Sequence, residues 1–522
     1  MGKSSMQSGI AAGHPLTAEA VAEVLAEGGN AFDGIAAGLL AAAVVEPVLS
    51  SLGGGGFLLA EPEGARPRVY DFFAQTPKQK RSEAELDFRS VIADFGTQSQ
   101  EFHIGAGSVA VPGLFAGVAR MVEDLGRLDL KRVCAPAIRL AKAGPPLNKT
   151  QAYIISVVTP IYGANRDCLE IFGGGSGRDG LKAEGEALPM PAFADALDAL
   201  AHDGADLFYR GEIAERLVEV CSQGGHLTRA DLEGYEVALR EPLMVANSDY
   251  RLSINPPPSS GGLLIALSLR LLEALPAAAG NRSGPAAVSR LAAVFAETNR
   301  ARLEHDLDEQ AARGLGELAP DLIAAYRQGV LGRTGANRGT THISVIDSEG
   351  SAASATVSNG EGAGLIVPGT GIMLNNMLGE EDINPKGFHQ WMPDRRLASM
   401  MAPALLEQKD GAKTVLGSGG SNRIRSAILQ VLVNLLDHGM PLDVAIAEPR
   451  LHGEGSLLSY EAGACGLPVD LEDLSPPAGY ETCQYWPEPC FFFGGVHGVR
   501  RQPNGRIEAY GDPRRGGAAK IV

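Results

Sequence analysis

The sequence predicts an α+β protein, because helical patterns dominate its first part and a strand hairpin opens its last part. Apolar residues recur at helical spacing in residues 18–26, 114–125, 133–143, 213–221 and 262–275. Residues 341–347 and 351–358 read as two strands, and a short strand at 414–416 leads through a glycine turn into a helix. With 522 residues, 45% of them hydrophobic, the chain can bury a large core in one large or two ordinary domains.

Composition excludes several classes of function. The apolar residues 35–45 are too few to span a bilayer and end at Glu46-Pro47, so we expect a buried core helix there. A formal net charge of −17 without a basic cluster argues against binding to nucleic acid or an anionic membrane. The six cysteines and ten histidines show no paired metal-ligand spacing, so we predict no cofactor and no metal. Residues 1–7 lack an apolar signal region, which indicates a cytoplasmic protein.

The predicted hairpin defines which side chains face each other. Its three-residue loop, Ser348-Glu349-Gly350, ends in glycine, as such loops commonly do. A register centred on Glu349 pairs Thr340 with Ser358 across the ladder, about 4.5–5.5 Å apart. A second hydroxyl would then stand beside Thr340. The alternative is that Ser358 is a surface serine that ends a strand.

Thr340 follows Gly339 at a loop-to-strand junction, where it could become an N-terminal nucleophile. If the Gly339–Thr340 bond breaks, Thr340 gains an α-amino group, whose ordinary pKa of about 7.7–8.0 suits a general base. Gly339 has no Cβ, so the Thr340 hydroxyl can approach its carbonyl for an N-to-O acyl shift. The alternative is an ordinary strand start. We expect the neighbouring His342 to be packed and hydrogen-bonded rather than catalytic, since the amine already offers a base.

A glycine-rich turn at residues 417–422 lies between the strand at 414–416 and a helical segment that begins near Arg423. Such turns leave backbone N–H groups free at a helix N-terminus, so Gly419 and Gly420 are candidate donors to a tetrahedral oxyanion. Phosphate binding is the alternative. The turn, however, lacks the lysine and Ser/Thr spacing of a P-loop and the spacing of a dinucleotide-binding fingerprint.

Taken together with further segments, these motifs resemble the γ-glutamyltransferase (glutathione hydrolase) family over nearly the whole length of the chain. The start of the hairpin, Thr340-Thr341-His342-x-Ser344-Val345-x-Asp347, is similar to the family's small-subunit signature. Other segments fall in the family's order: Glu27-Gly28-Gly29-Asn30-Ala31-Phe32-Asp33, Gly53-Gly54-Gly55-Gly56-Phe57, Val111-Pro112-Gly113, Pro256-Pro257-Pro258-Ser259-Ser260-Gly261-Gly262, Gly371-Ile372-Met373-Leu374-Asn375-Asn376 and Asp512-Pro513-Arg514.

The resemblance implies a four-layer αββα sandwich of N-terminal-nucleophile hydrolase type, made as a precursor that cuts itself before Thr340. A large subunit, residues 1–339, and a small subunit, residues 340–522, would then form one interlocked unit. It also implies that Thr340 is the nucleophile and that Ser358 replaces an assisting threonine. Gly419 and Gly420 would form the oxyanion hole.

The departures from the family concern the substrate. Where the family has an arginine that binds the α-carboxylate of a γ-glutamyl donor, this chain has Phe73, which cannot bind a carboxylate. The family's Gln and Asp at the α-amino end fall at Met377 and Glu380, of which Glu380 alone could keep the role. A Ser-Ser pair of the family is reduced to Ser399. The resemblance thus implies four substrate-contacting positions, which are occupied here by Phe73, Met377, Glu380 and Ser399. The segment that follows Asn376 is also shorter than the family's lid.

The alternative is that another cation binds the α-carboxylate of the donor in place of the missing arginine. The candidates are Arg395, Arg396 and Arg423. Residues 476–489, which contain Tyr480, Tyr485 and Trp486, are predicted to be an irregular surface loop packed by its own rings.

Three functional hypotheses follow. The first is a self-processing enzyme that cleaves a γ-glutamyl amide such as glutathione and passes the acyl group from Thr340 to water or an amine. The second keeps the chemistry but acts on a non-glutamyl acyl amide, because Phe73 replaces the arginine. The third is an inactive scaffold. Thr340, Ser358 and the Gly419-Gly420 pair together argue against a scaffold, which has no chemical need for all of them.

Overall fold

The computed structural model describes residues 7–94, 99–275, 284–304, 339–384, 387–468 and 472–522. The helices are α1 Pro15–Ala26, α2 Ala31–Val45, α3 Leu114–Leu125, α4 Leu130–Ala143, α5 Lys149–Val157, α6 Thr159–Tyr162, α7 Arg166–Phe172, α8 Pro191–Asp203, α9 Ala205–Tyr209, α10 Glu212–Ser222, α11 Arg229–Glu233, α12 Ser260–Ala274, α13 Pro285–Glu304, α14 Arg423–Leu436 and α15 Leu442–Ala447. The five predicted helices are confirmed as α1, α3, α4, α10 and α12.

The strands form two large antiparallel sheets and three small ones. They are β1 Gly9–Ala12, β2 Gly55–Glu61, β3 Arg68–Phe72, β4 Arg89–Asp94, β5 Ser99–Ile104, β6 Ala238–Arg240, β7 Leu243–Ala246, β8 Tyr250–Ile254, β9 Thr341–Ile346, β10 Ala352–Ser358, β11 Ile366–Val367, β12 Ile372–Met373, β13 Ala404–Gln408, β14 Lys413–Gly419, β15 Leu451–Glu454, β16 Leu457–Glu461, β17 Thr482–Trp486, β18 Gly495–Arg501, β19 Ile507–Gly511 and β20 Ala518–Ile521.

The two large sheets each combine strands from both parts of the chain. The first has the order β20-β1-β9-β10-β2-β3-β6, and the second has the order β19-β18-β14-β13-β8-β7. In the first sheet, β9 and β10 lie at the centre and are flanked by β1 and β2 from the first part of the chain. A chain cut before Thr340 would therefore remain joined by complete ladders of backbone hydrogen bonds on both sides of the hairpin.

Helix α2 forms as the apolar sequence predicts and packs against the hairpin strands β9 and β10. The Asn30 side chain accepts hydrogen bonds from the first turn, while Asp33 accepts one from the Asn30 N–H, which completes a capping box. Every residue of α2 is buried, as expected of a helix that is apolar on all sides. The helix ends at Val45, and its C-cap residue Glu46 is followed directly by Pro47. No helix of the described residues is both long and apolar enough to cross a membrane.

The central hairpin divides its side chains between two cores. Ile343 and Val345 of β9 face a core shared with helix α2, and Ile346 belongs to a second core shared with α12 and α14. This division follows from the two-residue alternation of a strand. Strand β9 contacts α2 on one side and β14 and β18 of the second sheet on the other. The two large sheets therefore pack face to face around the start of β9.

One predicted loop is corrected by the structure. Within residues 476–489, residues 482–486 form strand β17, which pairs in parallel with β16. Trp486 stacks on Phe492 at 5.0 Å, and the Tyr480 hydroxyl donates a hydrogen bond to the carbonyl of Ala292. The segment was not recognisable as a strand because its partner strand and its aromatic contacts lie elsewhere in the chain. Of the loop that is predicted to precede Thr340, only Gly339 is among the described residues.

Candidate active site

Thr340 lies immediately before β9 and is almost completely buried, with 4% of its surface exposed. The predicted register of the hairpin is confirmed, since Thr341 pairs with Val357 and His342 with Thr356. The Asp347 N–H donates to the Ser351 carbonyl and closes the predicted three-residue loop. The same register, continued by one residue, places Thr340 opposite Ser358.

The peptide before Thr340 is held by side chains on both sides. The Ser358 hydroxyl donates a hydrogen bond of 2.6 Å to the carbonyl of Gly339, and the Gly360 N–H donates one of 3.0 Å to that hydroxyl. The N–H of Gly339 donates to the Glu361 carboxylate at 2.6 Å. Ser358 is therefore within reach of the carbonyl that an attack by Thr340 would convert into an oxyanion.

Sequence reasoning missed Glu361. Its carboxylate turns back toward Gly339 because the flanking residues Gly360 and Gly362 have φ values of +62° and +92°, which favour glycine. A single acidic residue between two glycines directly after a predicted strand was the available signal.

The glycine turn after β14 packs directly on Thr340. Helix α14 begins at Arg423 as predicted, but the strand continues past its predicted end at residue 416 to Gly419, because residues 417–419 pair with β18. A Cβ on Gly419 would lie 2.1 Å from the Thr340 carbonyl oxygen, so no other residue fits without moving the backbone. Gly420 has a φ of +123°, which also favours glycine. The structure thus brings Thr340, Ser358, Gly419 and Gly420 together at the junction of the two sheets.

A small pocket opens beside these residues. Thr340 and Ser358 line it together with Phe73, Glu380 and Ser399, three of the four residues predicted to contact substrate. The fourth, Met377, is completely buried and does not line this pocket. The cavity volume is about 40 Å³, which is room for about two or three water molecules.

The charged residues that line the pocket in the described part of the chain are acidic. They are Glu380 and Asp382, and the Ser421 hydroxyl donates to Asp382 at 2.7 Å. The carbonyl of Ser399 accepts hydrogen bonds from the Ser259 hydroxyl and the Ser260 N–H, which explains how the Pro-rich motif at 256–262 supports this wall.

None of the three candidate substitute arginines lines the pocket. Arg396 donates to the carbonyls of Phe73 and Glu236 and lies 3.6 Å from the Asp71 carboxylate, behind the pocket wall. Arg423 is completely buried, stacks on Phe492 and donates to its carbonyl. Arg395 is exposed to solvent.

His342 is confirmed as a packed, hydrogen-bonded histidine. Its two ring nitrogens contact the hydroxyls of Thr356 and Ser344 at 2.8 and 2.9 Å. Burial lowers the pKa of the imidazole well below its ordinary value, and the neighbouring His497 lowers it further. His342 therefore stays neutral and joins β9 to its neighbours.

Glu46 lies behind the nucleophile and was also missed. Its carboxyl group accepts hydrogen bonds from the hydroxyls of Thr341, at 2.7 Å, and Thr17, at 3.0 Å. Burial raises the pKa of Glu46 from 4.5 to about 7, although both hydroxyls and the charge of Arg515 oppose the rise. The carboxyl group thus ties α1 and α2 to the residue that follows Thr340.

We expect the Glu46→Gln variant to remove one source of pH-dependent stability. As the pH rises from 4.5 to 7, Glu46 loses its proton in the unfolded chain before it does so in the folded chain. Its burial therefore lowers the free energy of unfolding by about 3 kcal/mol at pH 8. Below pH 4.5 the cost vanishes. Denaturant unfolding of both proteins at pH 4.5 and 8 should show the wild type losing about 3 kcal/mol relative to the variant. A pH-independent difference would contradict this origin.

Comparison with known proteins finds relatives over nearly the whole chain. The family model described as Gamma-glutamyltranspeptidase matches residues 17–522. The chain is similar to the Acylase ACY 1 proenzyme of Pseudomonas sp. (strain V22), with 31% identity over 533 residues that cover 95% of this chain and 90% of the relative. It is also similar to the Glutathione hydrolase proenzyme of Bacillus subtilis (strain 168), with 28% identity over 563 residues that cover 99% of this chain and 92% of the relative.

The fold is shared with a solved structure. The crystal structure of cephalosporin acylase from Bacillus halodurans superposes with a TM-score of 0.79 at 24% identity, covering 98% of this chain and 95% of that one.

Proposed function

Because the chain belongs to the gamma-glutamyltranspeptidase family, we propose that it is a self-processing amide hydrolase or acyltransferase that is cut between Gly339 and Thr340. The observation that carries the proposal is the contact between the Ser358 hydroxyl and the Gly339 carbonyl directly before Thr340. The proposal includes the four-layer αββα arrangement and two interlocked subunits, residues 1–339 and 340–522. The packed sheets and the mixed origin of their strands support it.

Self-cleavage would begin with Thr340. Its hydroxyl oxygen adds to the Gly339 carbonyl carbon, the C–N bond breaks, and the hydroxyl proton ends on the nitrogen, which becomes the α-amino group of Thr340. Ser358 would stabilise the oxyanion of this step through its existing hydrogen bond. Water then hydrolyses the ester and leaves a Gly339 carboxylate. Removing that carboxylate from its place beside Ser358 would also enlarge the pocket.

Turnover would reuse the same groups. The free amine of Thr340 takes the hydroxyl proton as the oxygen attacks the substrate carbonyl, and the proton then passes to the departing amine. Gly419, which packs on Thr340, and the adjacent Gly420 are the proposed donors to the substrate oxyanion. Water or a second amine releases the acyl group and restores Thr340. No cofactor or metal takes part in these steps.

The pocket favours an acyl group without a carboxylate. Among the described residues that line it, the charged ones are Glu380 and Asp382, and Phe73 occupies the place where the family binds a carboxylate. An unpaired, partly buried carboxylate costs several kcal/mol. The relative named as an acylase supports the same assignment.

A γ-glutamyl donor is the second candidate. The relatives named as glutathione hydrolases support it, and Glu380 could bind the α-ammonium group of such a donor at the pocket wall.

Two anilides with the same leaving group separate these candidates. We expect kcat/KM for an uncharged aliphatic or phenylacetyl p-nitroanilide to exceed that for γ-glutamyl p-nitroanilide by about 100-fold, which corresponds to about 2.7 kcal/mol. Equal rates, or a preference for the γ-glutamyl compound, would instead favour glutathione-type donors. Because both substrates release p-nitroaniline, a difference in leaving group does not contribute to the ratio of their kcat/KM values.

A further inference from the structure

Arg515 is a buried cation at the reaction centre. It follows β19 in a short turn and has 2% of its surface exposed. One guanidinium nitrogen lies 3.5 Å from the Thr340 carbonyl oxygen and another 3.4 Å from the Phe491 carbonyl, and the group stacks 3.7 Å above the Phe491 ring. In the part of the chain that the structure describes, Arg515 forms no ion pair, although the carboxylates of Glu361 and Asp512 act on it from further away, and its Nε has no hydrogen-bond partner.

The adjacent residue, Arg514, is also a buried arginine, and its contacts in the same turn are those of a structural residue. Arg514 donates to the Glu461 carboxylate at 2.8 and 2.6 Å and to Asp512 at 3.3 Å. Its charge is therefore neutralised where it is buried. Arg515 is buried just as deeply, and the charges of Glu361 and Asp512 compensate it only in part, without an ion pair. A buried cation without a paired carboxylate destabilises a fold. Stability alone does not account for its presence.

Arg515 remains charged at neutral pH. Burial lowers the pKa of its guanidinium to about 9, and the charge of Arg423 is the second cause. The Thr340 nitrogen is three bonds from the carbonyl oxygen that Arg515 contacts, so the guanidinium lies within about 8 Å of that nitrogen. Two like charges at this distance in a protein interior shift each other's protonation by on the order of one pH unit.

We propose that Arg515 keeps the α-amino group freed on Thr340 in its neutral, proton-accepting form. This inference rests on the proposed function, since it requires a cut before Thr340. A neutral amine has the lone pair that accepts the hydroxyl proton as the Thr340 oxygen bonds to the substrate carbonyl carbon, whereas an ammonium group has none. Arg515 is a positioning residue in this sense, because it acts through Thr340 and needs no contact with substrate.

Other charged and titratable groups surround the same amine. Glu361 opposes Arg515, because its carboxylate accepts the Gly339 N–H and would favour an ammonium group. The remaining groups on neighbouring elements are Glu46, His342, Glu380, Asp382, Arg423, Arg450, His497 and Asp512. Their combined effect sets the absolute pKa of the amine. The contribution of Arg515 is isolated by changing that residue alone.

The test compares Arg515→Met, Arg515→Lys and Arg127→Gln with the wild type. Methionine removes the charge and fills similar space, which is usually neutral or favourable for a buried charge. Arg127 forms an exposed ion pair with Glu349 in the loop of the same hairpin, so Arg127→Gln removes the same charge far from Thr340. Intact mass spectrometry first establishes whether each protein is cut. The pH dependence of kcat/KM is then measured with an uncharged acyl anilide.

We expect the acidic limb of the profile to move up by about one pH unit in Arg515→Met and to stay within about 0.3 unit of wild type in the other two variants. An unmoved limb in a cut Arg515→Met protein would overturn the inference. If that variant is not cut, the same profile is measured for Arg515→Gln, whose neutral amide removes the charge and keeps an N–H donor for the Thr340 carbonyl. An acidic limb that stays within about 0.3 unit of wild type in a cut Arg515→Gln protein likewise overturns the inference. An uncut, active wild type would refute the proposed function itself.

Discussion

Thr340→Ala is expected to leave the chain uncut and to lower amidase activity by at least about 10⁴-fold. Alanine has no hydroxyl to attack the Gly339 carbonyl, although Ser358 would still contact that carbonyl. Without the cut there is neither a nucleophile nor a free amine, and the pocket keeps its small volume. A denaturing gel reports the cut, and release of p-nitroaniline reports the activity.

Two matched variants define the specificity of this effect. Thr340→Ser keeps a hydroxyl and should retain part of both activities. Thr341→Val removes the adjacent hydroxyl, which points to Glu46 on the other face of the strand, and should still be cut. Full processing of Thr340→Ala would exclude Thr340 as the attacking group.

Phe73→Arg is expected to raise kcat/KM for γ-glutamyl p-nitroanilide by at least about tenfold and to lower it for an uncharged acyl anilide. Phe73 is buried in the pocket wall, so an arginine there would introduce the planar cation that binds a carboxylate in two-point fashion. Its cost of burial would be partly offset by the nearby carboxylates of Glu380 and Asp382.

Phe73→Met is the control for this change, because it alters the shape of the wall without adding charge. An equal gain in γ-glutamyl turnover with methionine would show that space rather than charge limits the wild type. Hydrolysis of glutathione by the wild type with kcat/KM of about 10⁴ M⁻¹s⁻¹ or more would show that a substitute cation exists. Arg395, Arg396 and Arg423 do not line the described pocket, so that cation would have to come from elsewhere.

The parts of the site that local rules determine could be predicted from the sequence. The hairpin register followed from a three-residue loop ending in glycine, and it placed Ser358 opposite Thr340. The start of helix α14 at Arg423 followed from a strand, a glycine turn and a helical pattern, although the strand runs three residues further than predicted. Both predictions depend on neighbours in the chain, for which spacing and turn chemistry are informative.

The groups that the sequence did not reveal depend on contacts between distant segments. Glu46 reaches Thr341 from the end of α2, and Arg515 reaches Thr340 from the turn after β19. Nothing in the spacing of these residues indicates their proximity to the nucleophile, because sheet order brings them together. Met377 was assigned to the pocket by its place in a motif, but its side chain turns into the core. A motif specifies a position in the chain and not the direction of a side chain.

The most direct test of the account is the intact mass of the purified, active protein together with its N-terminal sequences. We expect two polypeptides, residues 1–339 and 340–522, with Thr340 as the second N-terminus and with activity that rises in parallel with the cut. An uncut chain that hydrolyses the amide at full rate, or a cut at any other bond, would contradict the assignment of Thr340 as nucleophile and base.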